Sequence, residues 1–292
     1  MKRFTVLCLG LSLLMGWLGM AAAQENVMQP PKVLVVTREY LKPGKMGAMH
    51  EKDESAFVQA FAKAKWPTHY LGMDSLSGKS RSLFFTPYDS FEAWEKDALA
   101  TQKNSALTAA LEHAATVDGE LLDSVDSHAM VYREEYSLRA GVDIPHMRYF
   151  EISLYHVKPG HDKDWDEIVK MVKAAYERAV PDAHWATYAA VYGSPSDTYV
   201  VIVPMKSASE IDKGFMQDKD FEAAMGEDGM RKLSELTAAA LDSIESNLFL
   251  LNPRLSYVSD EWIKADDFWK RKEPAMPKTE PKKSEEKKPA GE

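Results

Sequence analysis

Five polar side chains are candidates for ligand binding or proton transfer because of their chemical types: Glu39, His69, Glu151, Tyr155 and His184. A carboxylate in a partly enclosed cavity can have a raised pKa and act as a general base. A neutral imidazole can ligate a metal ion or a haem iron, or carry a proton. Each type also has a structural use, since strand-end carboxylates reach water and histidines hydrogen-bond backbone carbonyls. The five are therefore candidate ligand-binding residues, and no catalytic residue is assigned.

Two other histidines lie beside carboxylates at the spacing of one helix face. His50 is followed by Asp53 and Glu54, and His161 opens the acidic stretch HDKDWDE. Carboxylates and imidazoles at such spacing can bind metals, but acidic first turns are ordinary at helix starts. Neither stretch matches a defined metal motif. Both are therefore predicted to be solvated helix starts, and no metal site is predicted.

The elements that position these residues occur twice along the chain. Lys42-Pro43-Gly44 recurs as Lys158-Pro159-Gly160, each time after a strand-like run and before a helical run. The segment WPTHYLGMDSLSG aligns without gaps with PDAHWATYAAVYG, which makes His184 the counterpart of His69. A repeat of this length indicates a duplicated domain and not a solenoid.

Each half reads strand, helix, strand, strand, helix, strand, the order of a ferredoxin-like unit. The predicted fold class is α+β, with two tandem ferredoxin-like βαββαβ repeats whose antiparallel sheets pack into an intramolecular α/β-barrel. One chain would then be a pseudo-dimer that needs no second copy. Long helical regions are predicted over residues 91–125 and 208–251. The last strand of each repeat is predicted in HAMVYREEYS and PRLSYVSDEW.

Alternation along the first strand of each repeat predicts which side chains face the barrel interior. The apolar residues of the repeat-two strand are predicted to pack against helices, and the polar ones to line an enclosed cavity. Glu39, Glu151 and Tyr155 would then lie inside the barrel. A functional site would involve the second repeat more than the first, because Val35 stands where repeat two has Glu151. The inward set in repeat two is Tyr149, Glu151, Ser153 and Tyr155, and the outward set is Phe150, Ile152 and Leu154.

The two ends of the chain differ from its body. Residues 1–23 combine a basic start, an apolar run and small residues before Gln24, which is typical of a cleaved secretory signal peptide. Residues 270–292 are rich in proline, lysine and glutamate and are predicted to form a disordered tail. Repeat one is assigned to residues 24–143 and repeat two to residues 144–269. The protein is therefore expected to be exported, periplasmic or secreted, without a membrane span after signal cleavage.

Charge and cysteine content exclude several classes of protein. The formal net charge is −9, and an acidic body repels phosphate backbones, so nucleic acid is not a predicted partner. The chain has one cysteine, Cys8, which lies inside the predicted signal peptide. A disulfide framework, a thiolate metal site and a cysteine nucleophile are therefore excluded from the mature chain.

This arrangement resembles the dimeric α/β-barrel superfamily, over roughly residues 32–265. The superfamily includes antibiotic-biosynthesis-monooxygenase-like proteins, NIPSNAP-like proteins, and the chlorite-dismutase and haem-degrading branches. The resemblance rests on the order of elements and on the repeat, so it implies the fold and leaves the function open.

Three functions are compatible with that resemblance. The favoured one is binding of a small aromatic or apolar molecule in or near the barrel. The alternatives are a monooxygenase-like or haem-handling enzyme that uses His69 or His184, and a structural or interaction protein with a packed barrel. No cofactor is predicted, and haem is the one that the resemblance would permit.

Overall fold

The computed structural model describes residues 27–270. The predicted signal peptide lies outside the described residues, and so does the predicted tail after Lys270. Within residues 27–270, no helix combines the length and the apolar character needed to cross a bilayer.

Within residues 27–270, eight strands and six helical segments, of which α5 is kinked at Gly226, follow each other in two similar halves. Repeat one contains β1 (Val33–Leu41), α1 (Ala48–Ala64), β2 (Leu71–Ser75), β3 (Arg81–Tyr88), α2 (Phe91–Lys103), α3 (Ser105–Asp118) and β4 (Leu122–Tyr132). Repeat two contains β5 (Tyr149–Val157), α4 (Asp162–Ala179), β6 (Ala186–Tyr192), β7 (Thr198–Met205), α5 (Ser209–Ala240) and β8 (Leu241–Leu251). The short helix α6 (Asp260–Ala265) follows β8.

The strands form one closed antiparallel barrel in the order β1-β3-β2-β8-β5-β7-β6-β4. Each repeat contributes four consecutive strands of this ring in the ferredoxin-like order. The repeats join where β2 pairs with β8 and where β4 pairs with β6. Closure removes the unpaired edges that each sheet alone would expose. The predicted fold, two ferredoxin-like repeats in one intramolecular barrel, is confirmed.

The repeated Lys-Pro-Gly sequence is the turn that leaves the first strand of each repeat. Gly44 has φ 76° after β1, and Gly160 has φ 85° after β5. This left-handed region strongly favours glycine, which has no Cβ to clash with the backbone. The chain therefore repeats the sequence because it makes the same turn toward a helix twice.

The predicted last helix and last strand of each repeat are wrong in their bounds. In repeat two the helix ends at Ala240, and β8 begins at the next residue. The spacing of Leu241, Ile244 and Leu248 imitates a helix, but these residues pair with β5 in the barrel. Residues 253–262 form no strand and contribute one isolated bridge, between Tyr257 and Tyr70. Tertiary pairing has overridden the local period.

The predicted facing of the first strands is also wrong. Phe150 of β5 packs edge-on against Phe85 of β3 across the barrel, with ring centroids 6.4 Å apart. Alternation defines two faces without saying which is inner, and the apolar set takes the inner face because it is enclosed by all eight strands. Glu39, Glu151 and Tyr155 therefore lie on the outer face, beneath helices. The barrel interior is lined by Leu34, Val36, Leu83, Phe85, Met130, Phe150, Ile152, Tyr188, Val200, Ile202, Phe249 and Leu251.

Candidate functional site

A cavity of about 530 Å³ opens at the end of the barrel where β1 and β5 begin. Its wall carries residues from both repeats. Residues 28–31 and Trp262 of α6 border it from outside the barrel. The volume lies in the range of small-molecule sites, which are typically apolar with a few polar groups. Its apolar lining includes Phe85, Phe150, Ile202, Trp185, Ala93 and Trp262, and its polar lining includes His69 and His184.

The two repeat-related histidines, His69 and His184, both line this cavity. The ring of His69 stacks on that of Tyr257, with centroids 4.8 Å apart. Burial lowers the pKa of His69, an effect that the backbone hydrogen bond at Pro67 only partly opposes. The His69 imidazole is therefore neutral at neutral pH. It can exchange a hydrogen bond with an uncharged ligand.

His184 is held by the backbone. Its Nε2 lies 2.7 Å from the carbonyl oxygen of Pro204, and its Nδ1 lies 3.0 Å from that of Asp182. This is the structural use of a strand-start histidine. With both ring nitrogens facing carbonyl oxygens, His184 has none left for iron, so it does not fit the role of a haem ligand.

A second cavity, of about 590 Å³, lies between the outer face of β5 and helices α4 and α5. It brings together Glu151, Tyr155 and His184, the set predicted for a site in repeat two, although on the helix side of the sheet. Burial, reinforced by the charge of Glu151, raises the pKa of Tyr155. The wall formed by α5 contacts α4 through Phe221, whose ring lies 4.8 Å from that of Tyr176 between centroids.

The rest of the barrel is filled. Between the mouth and the opposite end, the side chains of the inner face form one apolar cluster. At the opposite end a space of about 60 Å³ remains beside Arg38 and Arg81. There Arg38 donates two hydrogen bonds of 2.7 Å to Asp126. A small organic molecule therefore has room at the mouth of the barrel and not along its axis.

Glu39 belongs to a different site, a buried acidic cluster with His50, Glu54 and Asp118. His50 Nε2 lies 3.1 Å from a Glu39 carboxylate oxygen, 3.5 Å from one of Asp118 and 3.9 Å from one of Glu54. His50 and Glu54 lie one turn apart on α1, Glu39 lies on β1, and Asp118 ends α3. The exposed fractions are 9% for Glu39, 1% for His50, 3% for Glu54 and 2% for Asp118.

Burial dominates the electrostatics of this acidic cluster. It raises the pKa of Asp118 to about 6, with Glu39 contributing further. It also raises the pKa of Glu54 well above its usual value, assisted by the charges of Glu39 and Asp118. For His50, burial lowers the pKa, but the hydrogen bond to Glu39 and the charge of Asp118 outweigh it, so the net shift is upward.

The prediction that His50 is a solvated helix start is therefore wrong. The spacing of His50 and Glu54 was visible in the sequence, but their burial under α3 was not. Asp118 carries no signal in the sequence, because it is a single acidic residue at the end of a helix. His161 behaves more as predicted: it precedes α4, is partly exposed and lies 2.7 Å from Asp164.

Comparison with solved structures finds similar chains at low identity. A protein named as a candidate monooxygenase from Fusobacterium nucleatum subsp. nucleatum shares 12% identity, covers 77% of this chain and 94% of its own, and gives a TM-score of 0.49. An anthrone oxidase-like protein shares 13% identity, with 76% and 92% coverage and a TM-score of 0.47. A mutant chlorite dismutase from Candidatus Nitrospira defluvii shares 10% identity, with 82% and 98% coverage and a TM-score of 0.45.

At these identities and TM-scores the likenesses do not show what this chain does. No protein-family model matches the chain, and no curated protein matches it. Function must therefore be argued from the chain's own cavities and side chains.

Proposed function

We propose that the protein binds a small, uncharged, largely apolar or aromatic molecule in the cavity at the barrel mouth, and that it does so outside the cytoplasm. The observation that supports the proposal is the cavity itself, walled by aromatic and aliphatic side chains and carrying the neutral His69 at its rim. Apolar walls favour transfer of apolar surface out of water. A neutral imidazole favours a ligand without net charge, because it offers no ion pair.

The mouth is favoured over the cavity beneath α5 because part of its lining, Leu34, Phe85, Phe150 and Ile202, comes from paired strands of both repeats and belongs to the buried core of the barrel. The cavity beneath α5 takes one wall from that helix. A preformed site loses less conformational entropy when it binds.

Binding of N-phenyl-1-naphthylamine, a neutral aromatic dye that fluoresces in apolar sites, tests the proposal. We expect one dye molecule per chain. Ala93→Trp places a large ring at the cavity rim and should weaken dye affinity about tenfold or more, a change of about 1.4 kcal/mol. Ala98→Trp, on an exposed face of the same helix α2, should bind the dye as the unchanged protein does.

A third variant separates the two cavities. Gly214 lines the cavity beneath α5, and a Cβ added there would meet nothing within 4 Å. Gly214→Trp should therefore leave dye affinity unchanged if the dye lies at the mouth. Weaker binding by Gly214→Trp together with normal binding by Ala93→Trp would refute the proposed location.

A further inference from the structure

The acidic cluster of repeat one contains carboxylate oxygens that no protein group satisfies. One oxygen of Glu54 and one of Asp118 are buried without a hydrogen-bond partner. A buried carboxylate oxygen without a hydrogen-bond partner destabilises the folded state. Both oxygens face His50 Nε2, but at 3.9 Å and 3.5 Å, distances too long for a good hydrogen bond.

The surroundings supply no further positive charge to these oxygens. The charged groups that act most strongly on Glu54 are all carboxylates: Glu39, Asp118, Asp74 and Asp53. Asp74 is itself occupied, accepting hydrogen bonds from Ser82 at 2.6 Å and from Asn252 at 2.7 Å. Apart from His50, the described ion pairs bring no cation to Glu39, Glu54 or Asp118.

Repeat two shows that the fold does not need charge at this place. Glu39 pairs with Ser82 across β1 and β3, and its counterpart Tyr155 pairs with Tyr199 across β5 and β7. In repeat two the helix above contributes Trp165, whose ring stacks on Tyr199 with centroids 4.8 Å apart. An aromatic cluster therefore fills the position that repeat one fills with carboxylates and an imidazole.

The geometry of the acidic cluster is that of a ligand set. One donor atom from each of Glu39, His50, Glu54 and Asp118 lies within 4.8 Å of every other. Four donors about 2.1 Å from a tetrahedral ion lie roughly 3.4 Å apart, so small side-chain movements suffice. His50 and Glu54 share one face of α1, as residues four apart on a helix do.

We propose that Glu39, His50, Glu54 and Asp118 bind one divalent first-row transition-metal ion that ties α1 and α3 to β1. Carboxylate oxygens with one imidazole suit Zn²⁺, Mn²⁺ or Fe²⁺, whereas Ca²⁺ takes six to eight oxygen ligands. The site is closed to solvent, so the ion acts structurally and is separate from the mouth cavity. Its failure would leave the proposed ligand site intact.

Metal content and thermal unfolding of the untagged protein test this proposal. After EDTA treatment and dialysis, the protein is titrated separately with Zn²⁺, Mn²⁺ and, without oxygen, Fe²⁺. We expect at least one of these ions to be retained at one equivalent per chain. At a free concentration 100 times the dissociation constant it should raise the Tm by roughly 5–10 °C.

The variant Glu54→Gln keeps the shape of the side chain and removes its charge. It should reduce ion affinity at least tenfold, and its metal-free form should be as stable as, or more stable than, the metal-free unchanged protein, because the neutral amide removes the cost of burying a carboxyl group. Glu112→Gln, on the exposed side of α3, should change neither property. Lower ion affinity without a loss of metal-free stability would separate the loss of a metal ligand from damage to the fold.

A second variant guards against misfolding of the first. The triple substitution Glu39→Tyr, His50→Trp and Glu54→Val introduces the repeat-two side chains of Tyr155, Trp165 and Val169, which pack together, and should retain no ion while remaining folded. Absence of any retained ion in the unchanged protein, with no Tm increase upon titration, would overturn the proposal. Equal ion retention by Glu54→Gln and the unchanged protein would overturn it as well.

Discussion

Expressed alone, residues 24–143 are expected to dimerise or aggregate and not to form a stable monomer. The isolated repeat would bare the barrel face that carries Leu34, Val36 and Phe85. It would also leave β2 and β4 without their partners β8 and β6. Exposed apolar faces and open strand edges both drive association.

Light scattering coupled to gel filtration checks this expectation. The chain from residue 24 to residue 292 serves as the control and needs no partner for barrel closure. Mixing residues 24–143 with residues 144–292 should give a one-to-one complex, because the two sheets complete each other. A soluble, stable, monomeric repeat one would show that the repeats fold independently.

Trp269→Ala is expected to cost about 3–5 kcal/mol of unfolding free energy. Trp269 is 1% exposed, and its ring nitrogen donates a 2.8 Å hydrogen bond to the carbonyl of Pro145. Its ring packs against Trp262 and Phe268, with centroids 5.3 Å and 4.9 Å away. The substitution would leave a cavity and would remove one of the two side-chain hydrogen bonds to the Pro145 carbonyl, the other being donated by Arg148 at 3.1 Å.

Thermal or urea unfolding measures this cost, with Phe215→Ala as the control. Phe215 is also aromatic but is 72% exposed, so its loss should stay within about 0.5 kcal/mol. Because Trp262 borders the mouth cavity, Trp269→Ala should also weaken dye binding. Similar unfolding curves for the two variants would contradict the tight packing of Trp269 against Trp262 and Phe268.

The architecture could be predicted from the sequence because both halves of the chain carry the same order of strands and helices. The Lys-Pro-Gly turns and the paired histidines align the two halves, and the element order then defines the ferredoxin-like unit. The bounds of β8 could not be found in this way, because Leu241, Ile244 and Leu248 fit a helical period as well. Only the pairing of β8 with β5 decides between them.

The candidate site was predictable in part. His69 and His184 were paired from the alignment of repeats, and they do line one cavity. Glu39 and Glu151 were placed on the wrong face, since alternation cannot say which side of a strand a barrel encloses. The acidic cluster was missed because Asp118 reaches His50 from a different helix, a contact that no local pattern reports.

The most direct test of ligand binding at the barrel mouth is a crystal structure of the protein grown with N-phenyl-1-naphthylamine. The account predicts electron density for one dye molecule between His69 and Trp262, above Phe85 and Phe150. Density beneath α5 beside Glu151 and Tyr155, with none at the mouth, would contradict it.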